Sequence, residues 1–168
     1  EAKIANTMAL DYPSEKLQIM VVADGSDDAT VEIVRQYPQV RLLHQPERRG
    51  KMAAVKRGMP LVRTPLTVLT DANALLNPEA LRHLLAPFRH GDVGAVAGEK
   101  RIVSAGDDPA NAAGEGLYWK YESFLKQQDA RLGSIVGAAG ELYAVRTGLF
   151  QYLPDDTILD DFVQTLHI

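Results

Sequence analysis

A short apolar run that ends abruptly in an acid is the feature that most constrains this chain. Residues 66–70 are aliphatic and β-branched, and Asp71, Ala72 and Asn73 follow at once. Such a run is typical of a buried strand, and in open α/β sheets ligands bind beyond the carboxyl ends of the strands. Asp71 and Asn73 would present two oxygen ligands on one side, which suits a divalent cation that bridges the protein to a diphosphate. The structural alternative is that Asp71 begins a turn and Asn73 or Asn77 caps the next helix.

A second strand-like run also ends in an acid. Residues 17–23 are mostly apolar, and Asp24 and Gly25 follow them. Gly25 allows a tight turn, and the polar residues after it can cap a helix expected over residues 28–37. Capping does not require Asp24, so the acid at this strand end is a second candidate site residue.

Helical periodicity indicates where the chain packs. Behind Asn77 and Pro78, core residues are predicted at helical spacing, which indicates a core-facing helix with an asparagine cap: Leu81, Leu84, Leu85 and Phe88. Further strands are predicted over residues 40–44, 93–103 and 135–146, and further helices over residues 1–10, 51–58 and 109–132.

Three features of these segments have two interpretations each. Lys51 opens a helix with the wrong charge for the helix dipole, so it either contacts a phosphate or is a solvated lysine. Trp119 is either a sugar-stacking platform or a packing residue. Asp160 and Asp161 open an amphipathic helix, where one of them fits a cap and the other fits a general base.

Composition excludes several classes of protein. With 168 residues the chain has room for one well-buried domain. A net charge of −4 argues against binding to nucleic acid. Without cysteine there is no disulfide, thiolate metal site or thiol nucleophile, and the four histidines lack metal-ligand spacing. No apolar run approaches the roughly eighteen residues that a membrane helix requires.

Several short motifs, taken in order, resemble the family 2 glycosyltransferases. Each motif alone is weak, whereas their joint order and spacing over almost the whole chain are specific. The motifs are DYP at 11–13, VADGSDDAT at 22–30, RGK at 49–51, LTDAN at 69–73, GELYAVR at 140–146 and LDD at 159–161.

The resemblance implies a fold and a domain organisation. The fold would be the α/β nucleotide-diphospho-sugar transferase fold often called GT-A, a Rossmann-like architecture with a mixed, mostly parallel central sheet flanked by helices. Residues 1–168 would form one catalytic domain. Within it, residues 1–103 would bind the nucleotide sugar, and residues 104–168 would carry the acceptor side and the catalytic base.

The resemblance also assigns residues on the donor side. Asp24 matches the acid that contacts the donor's nucleobase region, and Lys51 matches a lysine near the nucleotide. Asp71 and Asn73 match the first and last positions of the metal-binding and ribose-binding motif. The metal would be Mn²⁺ or Mg²⁺, and the donor would be a nucleoside-diphosphate sugar. The resemblance implies uridine diphosphate as the carrier, because it is the usual one in the family.

On the acceptor side, Asp161 matches the catalytic base, and Gly140, Glu141 and Asp160 belong to the acceptor-side segments. The reaction would be inverting transfer of a sugar to a hydroxyl of a glycan or a lipid-linked acceptor, in polysaccharide or cell-envelope glycan synthesis. The expected location is the cytoplasm or the cytoplasmic face of the inner membrane. If the resemblance holds, Asp71 and Asp161 must converge on one cleft although they lie ninety residues apart.

The chain also departs from the family pattern. Asn73 stands where many members carry an acid, and a neutral amide binds a divalent cation more weakly. The family's first strand is expected before Glu1, and its later motif and membrane helices after Ile168, so the chain is expected to be an excised piece and any membrane association to depend on those regions.

Two other functions fit the same features. One is a non-catalytic module of the same fold that binds a nucleotide sugar or a glycan. The other is a nucleotidyltransferase, which should carry a glycine-rich basic phosphate loop after its first strand, a region outside this chain. The acceptor-side run at 137–143 and the acid pair argue against the second by resemblance.

Overall fold

Helices and strands alternate along the chain in the computed structural model, which describes residues 1–99, 121, 124, 125, 128, 137, 138 and 140–168. The strands are β1 Ile19–Asp24, β2 Val40–Gln45, β3 Leu66–Thr70, β4 Ala95–Ala97 and β5 Leu142–Arg146. The helices are α1 Ala2–Met8, α2 Thr30–Arg35, α3 Lys51–Gly58, α4 Ala80–Leu85 and α5 Asp160–Leu166.

The α/β class with mixed strand directions is confirmed. β1 and β2 pair in parallel, with Ile19 opposite Val40 and Asp24 opposite Gln45. β5 lies between β3 and β4 in a second sheet and runs antiparallel to both. One of the three pairings among the described strands is therefore parallel and two are antiparallel.

The middle strand β5 forms the centre of the core. Tyr143, Ala144 and Val145 are at most 1% exposed. Because successive side chains of a strand point to opposite faces, Tyr143 and Val145 pack in one cluster with Met59 and Phe150. Ala144 faces the other side, in a cluster with Leu84 and Phe88 of the α4 region. The core prediction is confirmed for Leu81, Leu84 and Phe88, which are each less than 9% exposed, whereas Leu85 is only partly buried and packs against the same cluster.

Two predicted helix caps are wrong. α4 begins at Ala80, and the Asn77 side chain contacts the Glu79 carboxylate at 3.4 Å rather than a helix N–H. α5 begins at Asp160, and its N-cap position is held by Leu159 in a left-handed conformation with φ 57°. Capping therefore explains neither Asp160 nor Asp161, and both carboxylates are available for other contacts.

Other predictions extend beyond the described residues. The strand predicted at 93–103 is described only to residue 99, with β4 inside it. The helix predicted at 109–132 and Trp119 lie outside the described residues, apart from Tyr121, Phe124, Leu125 and Gln128, which are helical. No helix in the described part of the chain is both long and apolar enough to span a membrane.

Candidate active site

The Asp24 carboxylate anchors a loop. One of its oxygens accepts hydrogen bonds from the backbone N–H groups of Arg49 and Gly50, both at 2.7 Å. The other oxygen pairs with the Arg57 guanidinium at 2.8 Å. Desolvation is the largest single effect on the pKa of Asp24, and it raises that pKa. The hydrogen bonds from the Arg49 N–H, Arg57 and the Gly50 N–H together outweigh desolvation, so the pKa of Asp24 is lowered overall. Asp24 thus stays ionised and fixes the loop that leads into α3.

Arg57 is a residue that the sequence did not single out. It lies in the last turn of α3, where a basic side chain is expected for the helix dipole alone. No local signal distinguishes that role from a pairing with an acid thirty-three positions earlier in the chain.

Lys51 reaches across the cleft to acidic side chains of two other segments. It is the first residue of α3, placed there by Gly50 at φ 95°. Its ammonium lies 3.2 Å from Oδ1 of Asp160 and 4.0 Å from Oδ1 of Asp71. The anion beside this unusual helix start is therefore supplied by the chain's own acids, and Lys51 is not simply a solvated lysine.

Backbone contacts hold Asp71 at the end of β3. The Asp71 N–H and the Thr70 hydroxyl both donate to the carbonyl oxygen of Glu141, at 3.2 and 2.9 Å. The Thr70 hydroxyl also accepts from the Lys3 ammonium of α1 at 2.9 Å. The strand end that carries Asp71 is thus tied to the predicted acceptor-side segment at residues 140–141.

Gly140 lets the acid of α5 approach the lysine. A Cβ atom added at Gly140 would lie 3.0 Å from Oδ2 of Asp161 and 3.5 Å from Nζ of Lys51. Lys51 thus lies near Asp71 and Asp160, with Asp161 close by at Gly140, and we refer to these four residues as the acid–lysine cluster. The predicted convergence of Asp71 and Asp161 is what the structure shows.

Electrostatics indicate the same grouping. Burial raises the pKa of the Tyr143 phenol, and the carboxylates of Asp160, Asp161 and Asp71 raise it further. One buried oxygen of Asp160, Oδ2, has no hydrogen-bond partner among the described residues. Three carboxylates and one ammonium leave the acid–lysine cluster with a net negative charge, which favours a cation.

The residues present fit a metal ion that is shared with a substrate. No group of three or more acidic, histidine or cysteine side chains in the described part of the chain could form an all-protein metal site. Magnesium in phosphate-transfer sites is commonly held by one or two carboxylates plus substrate phosphates and water. Asp71, whose side chain is 39% exposed, can provide such a carboxylate. Asn73 is exposed in the turn after β3, and its role as a ligand stays a prediction.

The family model described as glycosyl transferase family 2 matches residues 2–153. The chain belongs to this family. The match ends before Asp160 and Asp161, so the importance of this pair rests on its position in the acid–lysine cluster. Lys51, Asp71 and Gly140 lie within the matched residues.

Curated relatives are longer enzymes. A beta-monoglucosyldiacylglycerol synthase of Trichormus variabilis is 25% identical over 177 residues, which cover 99% of this chain and 38% of that protein. A poly-beta-1,6-N-acetyl-D-glucosamine synthase of Staphylococcus aureus is 29% identical over 106 residues, 61% of this chain and 25% of that protein. The chain thus spans less than two fifths of the length of these relatives.

Solved structures share the fold. The mannosyltransferase PcManGT of Pyrobaculum calidifontis, solved with GDP-Man and Mn²⁺, superposes with a TM-score of 0.79 and 27% identity, over 95% of this chain and 45% of that one. S. aureus TarS 1–349 with UDP-GlcNAc gives a TM-score of 0.71 at 16% identity, over 98% of this chain and 47% of that one. The expected GT-A fold is therefore confirmed.

Proposed function

We propose that this chain is the catalytic domain of a glycosyltransferase that moves a hexose, with inversion, from a nucleoside-diphosphate sugar to a hydroxyl acceptor. The convergence of Asp71, Lys51, Asp160 and Asp161 in one cluster supports this proposal most strongly. A donor side reaching from α3 to β3 then faces an acceptor side that includes Gly140 and α5.

On the donor side, Asp71 would hold a divalent metal together with the donor's diphosphate, and the metal would neutralise the charge of the leaving group. Lys51 would contact the same diphosphate as a point charge. Asp24 fixes the loop that places Lys51, and a contact with the nucleobase would use its remaining acceptor capacity. The Mn²⁺ and GDP-Man of the mannosyltransferase structure support the class of donor and metal, and uridine as the base is our proposal.

On the acceptor side, Asp161 would take the proton from the acceptor hydroxyl as its oxygen attacks the anomeric carbon. The carbon–oxygen bond to the diphosphate breaks on the opposite face of the sugar, so the configuration inverts. Asp161 suits this role because its side chain adjoins Gly140, which has no side chain to block an approaching acceptor.

The acceptor is proposed by analogy with the relatives, and the location from the family resemblance alone. The names of two relatives specify a glucosylated diacylglycerol and a polysaccharide as products. We therefore propose a lipid or glycan acceptor, and a site at the cytoplasmic face of the membrane. The division into a donor part at residues 1–103 and an acceptor part at residues 104–168 is part of the same proposal.

Replacing Asp161 with Asn tests the transferase against the binding-module alternative. The amide cannot accept the proton, so transfer should fall by about a hundredfold or more, while affinity for the donor changes less than about twofold. The measurements are a sugar-transfer assay and calorimetric titration of the nucleotide sugar.

Asp155→Asn is the matched control for this variant. Asp155 pairs with Lys56 of the same helix α3 at 2.7 Å, outside the acid–lysine cluster, so transfer should persist. If the wild-type protein binds a donor but turns over none with any acceptor, the binding-module reading is favoured.

A further inference from the structure

The ion pair between Lys51 and Asp160 is asymmetric in its exposure. The Asp160 side chain is 13% exposed and the Lys51 side chain 46%. The carboxylate is therefore fixed inside the protein, at the first turn of α5, whereas the lysine is reached by solvent. Of the two partners, the lysine is the one that a ligand can draw away.

Among the described residues, the lysine is the one charged partner that Asp160 has. Its Oδ1 contacts the Lys51 ammonium, and its buried Oδ2 has no hydrogen-bond partner in that part of the chain. A buried carboxylate is costly unless it is paired, so Asp160 favours keeping the Lys51 ammonium beside it. Any anion that binds Lys51 must therefore compete with Asp160.

The approach to the ammonium is open on one side. Gly140 carries no side chain, and a Cβ there would already lie 3.5 Å from Nζ of Lys51. Asp71, 4.0 Å from the same ammonium, is the carboxylate that the proposed function assigns to the metal. Lys51 is thus stored next to the position where the donor's diphosphate would bind.

We propose that Asp160 is a positioning residue that stores Lys51 in the empty site and competes with the donor's diphosphate for its ammonium. This inference rests on the proposed function. Asp160 then has two effects. It keeps the flexible lysine in the cleft before the donor binds. It also lowers the affinity of the site for the nucleoside diphosphate, which must dissociate after transfer.

The test is calorimetric titration of inorganic pyrophosphate in the presence of chelator, and of UDP with and without Mn²⁺. Asp160→Asn removes the competing charge and frees Lys51, so pyrophosphate should bind about threefold to tenfold more tightly than to wild type. A purely structural role for Asp160 predicts unchanged or weaker binding instead.

Three further variants separate competition from a general change in charge. Asp155→Asn also removes a carboxylate paired to a lysine of α3, and should change affinity less than about twofold. Lys51→Met should weaken binding. Adding Asp160→Asn to Lys51→Met should recover none of the gain, because no ammonium remains to be released.

The proposal is overturned if folded Asp160→Asn binds pyrophosphate no better than wild type, or if its gain persists without Lys51. Circular dichroism establishes folding, and Asp160→Ser, which also removes the charge, bears the same prediction if the Asn variant does not fold. The proposed function fails separately if wild type does not bind UDP with Mn²⁺. Retained pyrophosphate binding in that case would still decide the role of Asp160.

Discussion

Gly25→Ala should be among the most damaging single substitutions on the donor side. Gly25 follows β1 with φ +65°, a conformation that costs a residue with a side chain about 1–2 kcal/mol. A Cβ atom there would lie 2.5 Å from the Arg48 nitrogen and 2.7 Å from its Cα. Those atoms are backbone, so the overlap cannot be relieved by turning a side chain, and the loop itself must move.

Movement of this loop would disturb the contacts of Asp24. The neighbouring N–H groups of Arg49 and Gly50 both donate to that carboxylate. Losing one hydrogen bond to a charged group costs about 1.5–3 kcal/mol. Together with the backbone conformation, the expected loss for Gly25→Ala is about 3–5 kcal/mol in the free energy of unfolding. That is a large fraction of the roughly 5–15 kcal/mol typical of a domain.

Urea unfolding followed by circular dichroism measures this loss, and two other glycines are matched controls. Gly50 also has a positive φ, of +95°, but none of the described residues has an atom within 4 Å of an added Cβ. Gly50→Ala should therefore show only the conformational cost of about 1–3 kcal/mol. Gly91 has open space and no such φ, so Gly91→Ala should stay within about 0.5 kcal/mol of wild type. If Gly25→Ala is no more destabilising than Gly50→Ala, the steric reasoning is refuted.

Two further predictions concern the cleft and the Asp24 anchor. Gly140→Ala places a methyl 3.0 Å from Oδ2 of Asp161 and should lower transfer about tenfold or more while the unfolding midpoint changes little; unchanged transfer would contradict the close approach. The pKa of Asp24 is lowered in the folded protein, so its stabilising effect is present above the unfolded pKa of about 3.9 and is lost as the pH falls through the folded value. Thermal unfolding midpoints measured down to acidic pH should therefore fall more steeply for wild type than for Asp24→Asn, and parallel curves would contradict this.

Local patterns predicted the elements that carry the site. The apolar runs before Asp24 and Asp71 became β1 and β3, because short aliphatic runs that end in turn residues have few alternatives in an α/β chain. The helical spacing of Leu81, Leu84 and Phe88 predicted the buried face of the α4 region, because residues three or four apart share one face of a helix.

Contacts between distant segments were not predictable in this way. The pattern at Asp160 fits a helix cap, but in the structure Asp160 pairs with Lys51, more than one hundred residues earlier. Strand direction is not encoded in an apolar run either, so the runs did not indicate which strand is antiparallel in the mixed sheet. The prediction that Asp71 and Asp161 lie in one cleft came from the family resemblance, not from their spacing in the sequence.

The most direct test of the account asks whether the acid–lysine cluster binds a donor's diphosphate. UDP is titrated calorimetrically into wild type and Asp71→Ala with Mn²⁺, and again with chelator, after circular dichroism shows both proteins folded. The account predicts binding that the metal strengthens and that, with Mn²⁺ present, Asp71→Ala weakens about tenfold or more, equivalent to about 1.4 kcal/mol. Equal metal-dependent affinity in the two proteins would contradict the assignment of Asp71 and the central claim.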